Sequence, residues 1–257
     1  MVFVTIVIEM TEVRILKYMG SKSRIISGIA PIIQDFVNCS PKKAYYEPFC
    51  GGCNVIDHIK ADIKFAADKQ KYLIALFQNL HLIDELPEFV SKEHYAEVRN
   101  DYNCQSGKFP DWYIGAIGFL ASYNGRFFDG GYAGVVNTKS GTVRNYYAEA
   151  KRNLEAQAPS LSDVRFVYKD YRDTRPLSGY VIYCDPPYFG TKQYGASKHF
   201  DYTEFWDWVR MFSRNNTVLV SEHNAPNDFE CIWEQSVLRT INNTQRVKAT
   251  EKLFICK

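Results

Sequence analysis

The chain carries almost no net charge. Its 31 Lys and Arg are nearly matched by 29 Asp and Glu, which leaves +2 over 257 residues. Bulk electrostatics of that size cannot hold a polyanion, so any nucleic-acid contact has to be local. Long apolar runs are lacking too. The N-terminal run from Val2 to Ile8 has no basic leader and is too short to span a bilayer. Residues 1–10 read as a loose extension or an edge strand. The 7 cysteines are odd in number and have no framework spacing, so they read as reduced thiols. A soluble, cytoplasmic protein without a membrane partner is expected. Cys50-Gly51-Gly52-Cys53 has no second pair of suitably spaced Cys or His to complete four ligands, so no metal is expected. The G-x-G-x-x-G fingerprint of nicotinamide dehydrogenases is absent, and no internal repeat or low-complexity segment is visible.

What is present is a globular composition. Hydrophobic residues make up 46% and aromatics 15%. The length suits one α/β domain with an insertion, or two small domains. The centre of the chain's organisation is Tyr180-Val181-Ile182-Tyr183-Cys184-Asp185-Pro186-Pro187-Tyr188. Its β-formers predict a buried parallel strand, stopped by two prolines that cannot continue a ladder. Asp185 is thereby presented at a strand's carboxyl end, where open α/β sheets keep their ligand crevices. Asp185 offers a carboxylate, Pro186 a rigid bare carbonyl and Tyr188 a flat ring. Together they suit a planar group bearing an NH2. An alternative is a strand end capped by turn prolines with Tyr188 as core.

Other segments add to this. Tyr18-Met19-Gly20-Ser21-Lys22 is a glycine turn opening a helix through Ile25, Ile29, Ile33 and Phe36, with Ser23 a candidate N-cap and Pro31 a predicted kink or break. A cation at a helix start opposes the dipole, which gives Lys22 a reason to be engaged elsewhere. Ala44 to Cys53 reads as strand and glycine turn, followed by a helical pattern through Val55, Ile56 and Ile59. After a further strand, Asp68 lies 17 residues beyond Gly51, close to where a Rossmann-type fold binds a ribose. Helices are expected over 72–121 with a break near 105–110. Strands are expected at 164–168 and 217–221, a helix at 201–215, and a terminal hairpin.

Residues 122–152 differ from the rest. Glycine, asparagine, basic and aromatic residues interleave with little periodicity, and 5 Lys/Arg face 2 acids. Long irregular segments in compact domains are usually functional or disordered. Tyr123, Asn124, Arg126, Lys139 and Arg144 are the candidates for DNA contact, since Asn and Arg read bases or phosphate and aromatics stack. A glycine-rich surface loop is the alternative.

From about Leu16 onward the chain resembles the Dam-like, alpha-group N6-adenine DNA methyltransferases. The resemblance rests on four motifs in order: Lys17-Tyr18-Met19-Gly20-Ser21-Lys22, Glu47-Pro48-Phe49-Cys50-Gly51, Asp68 after a strand, and Asp185-Pro186-Pro187-Tyr188. It implies a class I, Rossmann-like, mostly parallel sheet with a terminal hairpin that uses S-adenosyl-L-methionine. The catalytic domain would be 1–77 with 163–257, and 78–162 a mainly helical inserted target-recognition domain. Tyr18, Lys22, Phe49, Gly51, Asp68 and Asp185 would border the cofactor. Asp185, Pro186 and Tyr188 would serve catalysis on adenine N6 in double-stranded DNA. No obligate protein partner is implied, although a cognate restriction endonuclease in a bacterial or phage-encoded system fits. Cys53 stands where the family has glycine, which suggests a slightly shifted turn. Segment 122–134 lacks the Asn-Val-Pro run of GATC readers, so no target sequence is carried over. The rival readings are a silent DNA-binding or restriction-blocking protein on the same fold and a methyltransferase acting on RNA, on cytosine N4 or on a protein glutamine. Asp185 argues against the last two, whose relatives usually carry Ser or Asn there.

Overall fold

The computed structural model describes residues 16–18, 20–137, 141–190, 200–242 and 245–257. Residues 1–10 and Lys139 lie outside the described residues.

Helix α1 (Ile26–Cys39) is the first long element. It buries Ile26, Ile29, Ile33 and Val37 on one face. Ser21, not Ser23, supplies the cap: its hydroxyl accepts from the Ser23 N–H at the head of a short 3-10 turn over Lys22–Arg24. Pro31 does not break the helix. It stands on the exposed side, and burial of the opposite stripe outweighs one lost backbone bond.

Strand β1 (Ala44–Glu47) is buried along its whole length. The helix expected after the glycine turn is a single 3-10 turn, Ile56–His58. Only a few residues separate that turn from β2 (Ile63–Asp68), too few for a stable α-helix. Then come α2 (Lys71–Gln78), α3 (Lys92–Cys104) and α4 (Asp111–Leu120). The α3–α4 turn is held by Asp101, which accepts from the Lys108 and Phe109 amides at 3.1 and 2.8 Å. The stretch read as irregular contains a short ribbon, β3 (Val135–Asn137) and β4 (Val143–Asn145), and a further helix, α5 (Tyr146–Gln157). Asn145 caps α5 by accepting from the Ala148 amide at 3.0 Å. Strands β5 (Val164–Tyr168) and β6 (Tyr180–Cys184), helix α6 (Tyr202–Ser213) and strand β7 (Thr217–Glu222) follow the expected positions. The terminal hairpin, β8 (Phe229–Asn242) and β9 (Gln245–Cys256), is far longer than the sequence suggests.

Among the described residues the main sheet has seven strands in the order β5-β2-β1-β6-β7-β9-β8. All neighbours are parallel up to β7, and β9 enters antiparallel between β7 and β8. This is the Rossmann-like, mostly parallel sheet that the resemblance implies. The strand order reverses between β1 and β6, so the crevice outside their carboxyl ends is the expected ligand site. One core covers the face packed by α1, α2, α4 and α5, and a second lies under α6. Among the described residues no helix is long and apolar enough to cross a membrane.

Candidate active site

A cavity of about 810 Å³ opens at that switch point. Three neighbouring parallel strands feed it: β1 delivers Glu47 and the glycine turn, β2 delivers Asp68, and β6 delivers Asp185. Tyr18, Lys22, Phe49, Gly51, Asp68, Asp185, Pro186 and Tyr188 all line it.

The glycine turn is shaped for close approach. Gly51 has φ +45°, and Cys53 takes the left-handed region at φ +57°. The turn thus keeps the conformation glycine favours, and the cysteine bears a cost of about 1–2 kcal/mol there. A Cβ on Gly51 would stand 2.9 Å from the Tyr18 ring, and one on Gly52 2.8 Å from the Tyr18 Cβ. Tyr18 therefore covers the turn as a flat wall. Asp68 braces it from below, accepting from the Gly51 amide at 3.1 Å and the Gln70 amide at 2.9 Å. Burial pushes the Asp68 carboxyl up, and these two amides pull against that shift. Cys50 and Cys53 are buried, and burial drives both thiols up. Among the described residues no cluster of three metal-ligating side chains forms.

The other side of the cavity is built around Asp185. The Lys22 ammonium lies 2.7 Å from Asp185 Oδ1 and 4.5 Å from the centroid of the Tyr188 ring. Lys22 is buried, so the ion pair offsets much of the desolvation of its charge. Tyr188 is fixed on further sides. Its hydroxyl donates to Glu251 Oε2 at 2.9 Å, and its ring meets His223 edge to face at 4.7 Å. Burial, then the Asp185 charge, pushes the phenol well above its ordinary range. Behind it, the Phe189 amide donates to Glu222 Oε2 at 2.9 Å, which pins the chain just past the prolines. Glu47 sits beneath, accepting from the Tyr45 hydroxyl at 2.7 Å, and burial holds its carboxyl well above the usual range.

The candidate DNA residues are placed less uniformly. Tyr123 and Asn124 are exposed on a 3-10 turn over Tyr123–Gly125, with Asn124 at φ +53°. Arg126 reaches the cavity wall. Arg144 lies on β4 and is held by Glu149, to which its Nε and Nη2 donate at 2.5 and 2.9 Å.

Several lining residues were not singled out from the sequence. Tyr171 and Phe200 line the cavity beside Phe49, their ring centroids 5.1 and 6.0 Å from it. Tyr171 follows the end of β5, so its place at a parallel strand's carboxyl end was the available signal. Glu251 lies in the middle of β9, where nothing in the local pattern marks it.

The glycine cradle, the acidic residue ending the next strand and the aromatic slot fit a nucleoside carrying a charged tail. Comparison with known proteins agrees. Residues 18–209 match the family model of the D12 class N6 adenine-specific DNA methyltransferases. The chain is also similar to the type II methyltransferase M.MjaIII of Methanocaldococcus jannaschii, at 25% identity over 67% of this chain and 68% of that protein. With its seven-stranded sheet and the match over most of its length, the chain belongs to the D12 class of S-adenosylmethionine-dependent, N6 adenine-specific DNA methyltransferases, and its activity is methylation of adenine N6 in DNA.

Proposed function

We propose that the cavity holds S-adenosylmethionine against the glycine turn and receives an adenine extruded from double-stranded DNA at Asp185, Pro186 and Tyr188. The observation that carries the reading is the convergence of Gly51, Asp68 and Asp185 on one cavity at the sheet's switch point. Asp68 would accept from the ribose hydroxyls, Tyr18 would cover the turn, and Phe49, Tyr171 and Phe200 would flank the cofactor's ring. Bound cofactor supplies a methyl group made electrophilic by a sulfonium.

The chain's own residues do the rest. The amino group of adenine is a poor nucleophile because its lone pair is delocalised into the ring. Acceptance of its two N–H groups by the Asp185 carboxylate and the Pro186 carbonyl favours a pyramidal nitrogen with a localised pair. The same carboxylate faces the positive charge that develops on nitrogen. Tyr188 offers a stacking face to a base taken out of the duplex. In the structure the Lys22 ammonium occupies ground between that face and the carboxylate. Entry of the base therefore displaces it. Fixing both partners supplies the proximity term.

Residues 78–162 would form the target-recognition unit, with Tyr123, Asn124, Arg126 and Arg144 at the DNA. The type II relative extends the proposal to a restriction–modification pair with a cognate endonuclease. Incubating purified protein with S-adenosylmethionine and unmodified genomic DNA, then mapping N6-methyladenine base by base, tests the reading. Methylation at one recurring duplex sequence is expected. Methyl transfer to RNA alone, or cofactor binding without any transfer, would overturn it.

A further inference from the structure

Gln157 is the last residue of α5 and is 3% exposed. A buried amide has four hydrogen-bonding sites to satisfy. Here they bridge three separate stretches of chain. Gln157 Oε1 accepts from the Leu16 amide at 3.1 Å. Its Nε2 stands 3.1 Å from the Gly52 carbonyl, 3.3 Å from the Cys53 carbonyl and 3.0 Å from Asp57 Oδ2. One side chain thus ties down the arm that carries Tyr18, the floor of the glycine turn, and the 3-10 turn beyond it.

We infer that Gln157 is a positioning residue for the cofactor, setting the glycine turn and the Tyr18 wall at the spacing that cofactor binding needs. The inference rests on the reading that this cavity binds S-adenosylmethionine. Its physical basis is the shape of the turn. With Cys53 in a left-handed conformation that a side chain disfavours, the Gly52–Cys53 carbonyls need an external donor to hold the turn open. Gln157 supplies that donor. A Cβ at Gly125 would come within 2.0 Å of the Lys17 carbonyl, so the arm is also packed against the turn at Tyr123–Gly125. The Tyr18 ring is therefore set over Gly51 by contacts at the two residues before it, Leu16 and Lys17.

The test uses the full chain with Gln157→Met, which keeps volume and removes every hydrogen bond, and Gln157→Glu, which keeps the acceptor for Leu16 but turns a carboxylate toward the Gly52 and Cys53 carbonyls and Asp57. S-adenosylmethionine affinity is measured by calorimetry on folded protein, alongside binding of duplex DNA without cofactor. Gln157→Met is expected to weaken the cofactor about tenfold, as loss of two or three buried hydrogen bonds implies. Gln157→Glu should weaken it at least as much, and DNA affinity should change less than about twofold for both. KM for the cofactor should rise with kcat nearly constant. Should Gln157→Met fail to fold, Gln157→Glu carries the same test. Variants that lose thermal stability yet bind cofactor like the wild type would reduce Gln157 to a purely architectural role and overturn the inference. A wild-type chain that binds no cofactor would overturn the reading beneath it as well.

Discussion

The cavity has two unlike walls. On the sheet side, Gly51, Asp68 and Asp185 stand at the ends of β1, β2 and β6, and their relative positions follow from the parallel ladder. On the helical side, the turn from Tyr123 to Phe128 carries three non-glycine residues at positive φ: Asn124 at 53°, Phe127 at 30° and Phe128 at 60°. Each such residue costs of order 1–3 kcal/mol and persists only where its surroundings dictate it. Here aromatic packing does so. Phe127 lies 4.8 Å from Phe119 and stacks on Tyr72 at 5.5 Å, while Phe128 stacks on Tyr102 at 5.6 Å. A wall of residues at ladder ends takes its spacing from the backbone, with Gln157 holding the one turn that leaves the ladder. A wall built on a strained turn depends on each ring beneath it. Chemistry common to a family suits the first kind, and readout of one chain's own target suits the second.

The largest break should come on the sheet side. Asp185→Asn keeps the volume and removes the charge that faces the nucleophile. It should lower kcat by roughly 10²–10³-fold or more while cofactor affinity stays close to wild type. Near-normal single-turnover rates would remove Asp185 from the chemistry. On the helical side Gly118→Ala places a methyl 2.5 Å from the Phe127 ring. Overpacking of that kind costs about 1–3 kcal/mol. Since the strained turn is its easiest outlet, DNA affinity should fall about tenfold with cofactor affinity untouched. Equal loss of both affinities would show that the two walls are not independent.

A smaller effect is expected at Arg144, already held by Glu149. Arg144→Ala should weaken duplex binding about two- to fivefold and reduce the salt slope by about one. An unchanged slope would place Arg144 off the phosphates. The smallest effect sharpens the sheet side. Burial raises the Glu47 carboxyl well above its free value of about 4.3, so folding favours the protonated form. The stability this confers is complete below the free value and is lost as pH climbs through the raised one. Wild type should therefore lose stability relative to Glu47→Gln as pH rises across that range. Denaturant unfolding at a series of pH values checks this, and a wild type that holds or gains stability relative to Glu47→Gln as pH rises contradicts it.

The same contrast explains what was legible in the sequence. Asp185, Gly51 and Asp68 could be placed because each ends a strand whose β-formers and breakers announce it. The sheet, α6 and the hairpin follow similar periodic signals. The helix expected through Val55 to Ile59 shrank to one turn because apolar spacing says nothing about how soon the next strand begins. Pro31 stayed inside α1 because the buried stripe of Ile29, Ile33 and Val37 outweighs a local preference. Helix α5 went unseen because its polar residues, Lys151 among them, are buried through pairing such as Lys151 with Glu88, which no hydrophobic pattern reveals. Gln157 and Glu251 were hidden for a related reason. Their roles are defined by partners far away in sequence, Leu16 for one and Tyr188 for the other.

The place of β9 has a consequence for folding. It follows β8 in the chain, yet it lies inside the sheet between β7 and β8. The chain can stack β1 through β7 early, but β8 has no place to dock until β9 has been threaded beside it. The bond from Tyr188 to Glu251 cannot form before then either. Assembly of the pocket is thereby tied to the docking of β9, so a chain folded only through β7 does not yet carry a finished site.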